Sequence, residues 1–154
     1  MSDPLCVWKE TALPGSLEVR QAYVFAFSQS GCVVVLRDRE HCFLPGGKPE
    51  TCDEDIFATA RRETLEEASI IVGDMTYLGY VDLAEADCRY AQVRLVGSLE
   101  EERDGQPDPA TGRTYERLYL TCDEAIHALN WGTHGEPQVR AAFREWQPRT
   151  GVSL

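Results

Sequence analysis

Between residues 45 and 70 the chain reads PGGKPETCDEDIFATARRETLEEASI, a glycine pair followed by a segment dense in carboxylates. Glu63, Glu66 and Glu67 fall at i, i+3 and i+4. At about 100° per residue, those positions share one face of a helix. Carboxylates so placed repel each other by roughly 0.2–0.5 kcal/mol per pair on an isolated helix. Such a face is more often a solvated surface, but it becomes useful when a hard divalent cation sits among the oxygens. Mg²⁺ takes oxygen ligands, keeps several waters and is held by one or two carboxylates together with substrate phosphates. The chemistry these residues could do is therefore cation-assisted attack on a phosphate chain. Pro45, Gly46 and Gly47 add a sharp turn whose backbone can come close to a ligand, because glycine has no Cβ to clash.

To offer its acidic face, that segment must bury another. Phe57, Ala60, Thr64 and Ala68 line one side of a helix, about a third of a turn from the acidic residues. Around it the chain alternates apolar runs with turn residues. Strands are expected at 19–27 and 32–36, joined as a hairpin through Ser28-Gln29-Ser30-Gly31. A short apolar segment at 42–44 leads into the glycine turn, and further strands are expected at 75–83, 90–99 and 117–120. Residues 100–113, polar and rich in Gly, Pro and Asp, read as a surface loop. Thr121 or Asp123 could cap a helix running to about Asn130, and a last helix spans 136–146 with Pro137 near its start. Helices before and after a mixed set of strands imply layers around a sheet.

The 45–70 segment resembles the signature of the Nudix hydrolases: glycine, five residues, Glu, seven residues, Arg-Glu, an apolar residue, any residue, Glu-Glu, any residue, glycine, an apolar residue. Gly47 takes the first glycine position and Glu54 the first glutamate, with one residue too many between them. Asp53 keeps the first spacing but breaks the second. Arg62-Glu63, Glu66-Glu67 and Ile70 follow in step, while Thr64 fills the apolar slot and Ser69 the late glycine. The resemblance implies an α/β fold, an α/β/α sandwich around a mixed β-sheet, filling residues 1–154 as a single domain. By the same likeness Glu66 and Glu67 are the principal metal ligands, and Glu63 is a ligand or the general base. Gly46 turns its carbonyl to the metal, and Glu54 and Arg62 brace the loop against the helix. A downstream glutamate is expected to join them, from Glu100, Glu101, Glu102 or Glu116, with Glu116 preferred. The candidate catalytic residues are thus Arg62, Glu63, Glu66 and Glu67, and the candidate metal ligands Gly46, Glu63, Glu66, Glu67 and Glu116. The implied cofactor is Mg²⁺, with Mn²⁺ as a substitute.

Such enzymes hydrolyse a diphosphate linkage in a nucleoside diphosphate derivative, and some relatives bind nucleotides or nucleotide sugars without cleaving them. No subgroup mark for ADP-ribose, dinucleoside polyphosphates, NADH or coenzyme A is present. Tyr23, Phe25, Tyr90 and Tyr119 could stack on a base or sugar, and His41 could touch a phosphate.

Composition narrows the partners. The net charge of −11 over 154 residues excludes a duplex nucleic-acid binder, which needs clustered Lys and Arg. With 43% hydrophobic and 27% charged residues the chain reads as an ordinary globular domain. No apolar stretch approaches the ~20 residues of a membrane span, and the start of the chain lacks a basic-then-apolar leader. The expected setting is cytoplasmic; homodimers are common among proteins with this signature, and the sequence itself does not fix the oligomeric state. The six cysteines contain no Cys-x-x-Cys pair, so reduced, mostly buried thiols are expected in place of disulfides or zinc.

Overall fold

The computed structural model describes residues 5–146; the two ends of the expected 1–154 domain lie outside them. Eight strands form one sheet: β1 (Leu5–Lys9), β2 (Glu18–Phe27), β3 (Val33–Asp38), β4 (His41–Phe43), β5 (Gly46–Gly47), β6 (Ile70–Glu85), β7 (Cys88–Glu102) and β8 (Glu116–Leu120). The order is β1-β6-β7-β2-β3-β4, with β5 added to β2 and β8 to β3. Among the described strands only β2 and β7 run parallel, so the sheet is mixed. The helices are α1 (Ile56–Ala68), α2 (Cys122–Leu129) and α3 (Gly135–Glu145), with a 3₁₀ turn at Gly132–His134 before the last. None is long and apolar enough to cross a membrane.

Two apolar cores explain the layering. Along a strand, successive side chains point to opposite faces. Val24, Ala26, Val34 and Leu36 thus join Ala60 and Ala68 of α1, while Phe25, Phe27, Val33 and Val35 join Ala125, Leu129, Val139 and Ala142 of α2 and α3. Strands covered on both faces must be apolar in continuous runs, as VFAF and VVVL are. The α/β/α sandwich expected from the sequence is the architecture observed.

The outlines differ from the sequence reading where backbone pairing outruns side-chain apolarity. β6 and β7 begin earlier and end later than the apolar runs at 75–83 and 90–99. Ladder bonds need only main chain, so Glu101 and Glu102 continue β7 opposite Ile71 and Ile70. The glycine turn is partly strand, Tyr23 pairing with Gly46 and Ala22 with Gly47. β1, which the sequence reading did not anticipate, lies along β6 from Leu5↔Ala84 to Lys9↔Tyr80. Of the two candidate caps for α2, Thr121 takes the role, in a reciprocal pair with Glu124. Among the described residues no disulfide forms. Cys52 and Cys88 are exposed and the other four half-buried, which corrects the expectation of mostly buried thiols.

α1 passes into β6 through one residue, Ser69, in the left-handed conformation (φ 55°, ψ 41°). A serine there costs about 1 kcal/mol relative to glycine. Ser69 also contributes what glycine lacks. Its hydroxyl accepts from Gln106 N–H at 3.0 Å, beside a bond from Arg103 N–H to its carbonyl at 2.9 Å. The start of the long loop is thereby tied to the end of α1.

Candidate active site

The site begins where β5 touches the sheet. Gly46 has φ +154°, and a Cβ there would lie 2.3 Å from the Ala22 carbonyl oxygen, so no other residue fits. Its N–H donates to Glu67 Oε1 at 2.8 Å. At Gly47 a Cβ would stand 2.6 Å from the Glu63 carboxylate. Gly46 therefore lets the turn lie against β2, and Gly47 lets it lie on the acidic face of α1.

Arg62 fixes the loop that joins them. Its Nε and one Nη donate to the two oxygens of Asp53, both at 3.0 Å, and that Nη also reaches the Lys48 carbonyl at 3.0 Å. The other Nη donates to Glu63 at 3.1 Å and to Glu66 at 3.3 Å. Asp53 further accepts from Glu50 N–H and from the Thr59 hydroxyl, at 2.8 and 2.9 Å. The Arg62 guanidinium, with those bonds, holds the Asp53 carboxyl well below the usual carboxylate range, and Arg62 is itself raised. Glu54, expected to form the brace, is exposed instead. Five residues separate Gly47 from Asp53 and eight separate Asp53 from Arg62, so the extra residue follows the acid. It is absorbed before α1, where Asp55 caps the helix by accepting from Ala58 N–H.

The acidic face is under electrostatic strain. Burial pushes Glu67 up to about 8, partly offset by the Gly46 N–H and reinforced by the charges of Glu63, Asp108 and Glu66. Glu63 is raised too, by burial first, against the pull of Arg62 and with the push of Glu66 and Asp108. As placed, no three His, Cys, Asp or Glu side chains among the described residues converge to cage a metal ion. The donor set nevertheless fits one, because partly buried, mutually repelling oxygens are what a hard divalent cation relieves.

Asp108 is the residue that sequence reasoning missed. It is 5% exposed and sits in the 103–115 loop. Its carboxylate accepts from Ala110 N–H at 3.1 Å and from the Tyr115 hydroxyl at 3.3 Å. Its carbonyl takes the Thr111 and Gly112 N–H groups. The stretch DPATG announces that turn, but nothing local says that the turn folds against α1. Glu116 lies at the exposed start of β8, paired with Arg37 at 3.1 Å, and is not among the charges acting on Glu63 or Glu67. Glu101 and Glu102 pair with Arg103 and Arg117, and Glu100 lies against Gly73.

A groove leads away from Glu67. Its first recess, about 330 Å³, is lined by Tyr23, Asp38, His41, Phe43, Gly46, Glu67 and Tyr115. A second, about 190 Å³, shares Tyr23, His41 and Phe43 and adds Gln92, Arg94 and Trp131. Of the aromatic candidates for a base or sugar, Tyr23 alone lines these recesses. Phe25 is fully buried against Trp131, Tyr90 lies under Arg20, and the Tyr119 hydroxyl donates to Glu102. His41 borders both recesses.

Comparison with known proteins agrees with this fold. A pyrophosphohydrolase mutant from Bacillus subtilis superimposes with a TM-score of 0.61 at 19% identity, over 73% of this chain and 70% of that one. The MutT protein from Bacillus halodurans gives 0.60 at 22% identity, over 79% of each chain. A NUDIX hydrolase from Nitrosomonas europaea gives 0.62 at 17%, over 80% and 87%. At such identities the likeness is one of fold. No curated protein matches the chain. The NUDIX domain model matches residues 18–146, from the start of β2 to the end of α3, and the chain belongs to that family.

Proposed function

We propose that this chain is a divalent-cation-dependent hydrolase that cleaves a diphosphate linkage in a nucleoside diphosphate derivative. The observation that carries the reading is Glu67: a half-buried carboxylate, raised to about 8 and fixed by the Gly46 N–H at the head of the groove. Glu63, Glu66 and Glu67, with the Gly46 carbonyl, are the groups that would hold Mg²⁺ or Mn²⁺. Asp108 replaces Glu116 as the downstream acid best placed to join them. When bound, the cation would supply Lewis-acid neutralisation of charge on the diphosphate.

The chain's own residues do the rest. Arg62 keeps Glu63 and Glu66 in register on α1 and, through Asp53 and Lys48, holds the turn against them. Glu63 and Glu67, relieved by a bound cation of the crowding that raises them, would both stay ionised, and Glu63, oriented by Arg62, is the carboxylate that would take a proton from attacking water. The glycine turn, packed against β2 and the Glu63 carboxylate, holds the Gly46 backbone at the head of the groove. The mainly aromatic walls of the groove then receive the rest of the substrate.

The test is product analysis by mass spectrometry, with Mg²⁺ and with Mn²⁺, over nucleotide sugars, dinucleotides, dinucleoside polyphosphates and nucleoside triphosphates. Cleavage at one phosphorus is expected, and Glu67→Gln should lower its rate by about 100-fold or more. Turnover undiminished in Glu67→Gln would refute the assigned site. Tight nucleotide binding with no turnover under any divalent ion would make the domain a non-hydrolytic binder.

A further inference from the structure

Asp108 is 5% exposed, and among the described residues it forms no ion pair. A carboxylate buried without a counter-charge is costly, yet the chain fixes this one from several sides. Asp108 N–H donates to the Arg113 carbonyl at 2.8 Å, which closes a turn over 108–113. The loop that carries the turn is tied down at both ends. Arg117 donates to the carbonyls of Ala68 and Arg103, at 3.1 and 2.7 Å, and Arg113 pairs with Asp38 at 2.6 Å.

Within the turn the hydrogen bonds run in one direction. Arg113 N–H donates to the Thr111 hydroxyl at 3.2 Å, and the Thr111 and Tyr115 hydroxyls lie 2.8 Å apart. Tyr115 in turn donates to Asp108 Oδ2 at 3.3 Å. A hydroxyl has one proton to give. With the Tyr115 proton on the carboxylate, the short bond between the hydroxyls takes its proton from Thr111, whose own distance to Oδ2 is longer at 3.5 Å. Arg113, Thr111 and Tyr115 thus form a relay that ends on Asp108, and each bond in such a chain strengthens the next. Burial raises the Tyr115 phenol above its ordinary value, so it remains a donor. Its ring is fixed independently, edge-on to Phe43 with centroids 5.1 Å apart, and lines the recess beside Gly46 and Glu67. The charge of Asp108 acts on both Glu63 and Glu67. The three carboxylates share one need, a cation among them.

We propose that Tyr115 is a positioning residue for the cation site: its hydroxyl, backed by Thr111, holds the Asp108 carboxylate in the orientation in which it joins Glu63 and Glu67 around a divalent ion. The inference rests on the cation site of the proposed function and adds the residue that orients its loop-borne acid. Groups one step removed from a metal keep its ligands aimed, and losing one costs about 10–100-fold in affinity.

The experiment is Mn²⁺ binding to the intact protein without nucleotide, read from the electron paramagnetic resonance signal of the free ion. Wild type, Tyr115→Phe, Asp108→Asn and the double variant form a cycle. Phenylalanine keeps the ring against Phe43 and removes only the hydroxyl. Tyr115→Phe should weaken Mn²⁺ binding by about tenfold, and Asp108→Asn by at least as much. In the Asp108→Asn background the same change should alter affinity by less than about twofold, because the hydroxyl then has no ligand to orient. Thr111→Val removes the preceding donor, leaves Tyr115 in place and should weaken binding by about threefold. Undiminished affinity in Tyr115→Phe would overturn the proposal. So would an equal loss with and without the Asp108 carboxylate, which is what a general disturbance of the fold produces. Should Tyr115→Phe fail to fold, undiminished affinity in Thr111→Val overturns it instead. If Glu67→Gln weakens Mn²⁺ binding while Tyr115→Phe and Asp108→Asn do not, this inference alone fails. If none of the three weakens it, the cation site of the proposed function fails too.

Discussion

Two neighbouring acids, Asp53 and Glu54, differ entirely in their surroundings, and the difference is testable. Asp53 receives five hydrogen bonds, two of them from Arg62 and one a long contact from the Cys52 thiol, while Glu54 is exposed. Asp53→Asn should lower the melting temperature by roughly 5–10 °C and reduce turnover through the loosened loop. Glu54→Gln should change stability by no more than about 0.5 kcal/mol. Thermal melts of the two variants side by side check this. Glu67 supplies a prediction of the opposite sign. Its folded-state proton affinity is raised to about 8, so its stabilising contribution is full below its unfolded value near 4.3. That contribution is lost as the pH climbs through about 8. Without divalent ions, stability should decline over that window, and Glu67→Gln should flatten the decline. Melts in chelator at pH 5, 7 and 9 measure it. The acidic triad could be read in the sequence because i, i+3, i+4 spacing is a local property of a helix. The Asp53 brace and the Asp108 contact could not, because a carboxylate's partner across a loop is chosen by tertiary geometry and not by counting residues.

At the level of elements, the short strand Gly46–Gly47 is the hinge between sheet and helix. Alanine at Gly46 meets backbone of β2, whereas the nearest atoms to an alanine at Gly47 belong to the flexible end of the Glu63 side chain. Gly46→Ala should therefore destabilise the fold by about 2 kcal/mol or more. Gly47→Ala should leave stability near wild type and depress turnover by displacing Glu63. Chemical denaturation paired with initial rates separates the two effects. Ser69 makes a similar point at the other end of α1. Ser69→Ala keeps the left-handed strain and orphans the Gln106 N–H, so it should cost more than Ser69→Gly, which removes both the bond and the strain. Strands β2 and β3, together with the two late helices, were legible in the sequence from apolar runs and capping residues. β1 was not, because LCVWK alone does not say which edge it will join. The charged end of β7 was not, because its pairing is a matter of main chain.

The molecule as a whole carries a net charge of −11, while its proposed substrate is an anion. Long-range repulsion slows encounter, and it is screened as the Debye length shrinks from about 30 Å at 0.01 M to about 8 Å at 0.15 M salt. With free Mg²⁺ held constant, kcat/KM should rise a few-fold over that range. A fall would mean that local positive charge in the groove outweighs the global field.

The parallel pairing of β2 with β7 also bears on time. Tyr23 and Arg94 are about 70 residues apart in sequence, yet they are neighbours across that pair. Bringing them together means closing a long stretch of chain before any contact repays the entropy. The hairpin of β6 and β7 can form locally, but the groove exists only once β2 docks beside it. During refolding, helical signal and β6–β7 pairing should therefore return before ligand binding does, and activity should be the last property recovered.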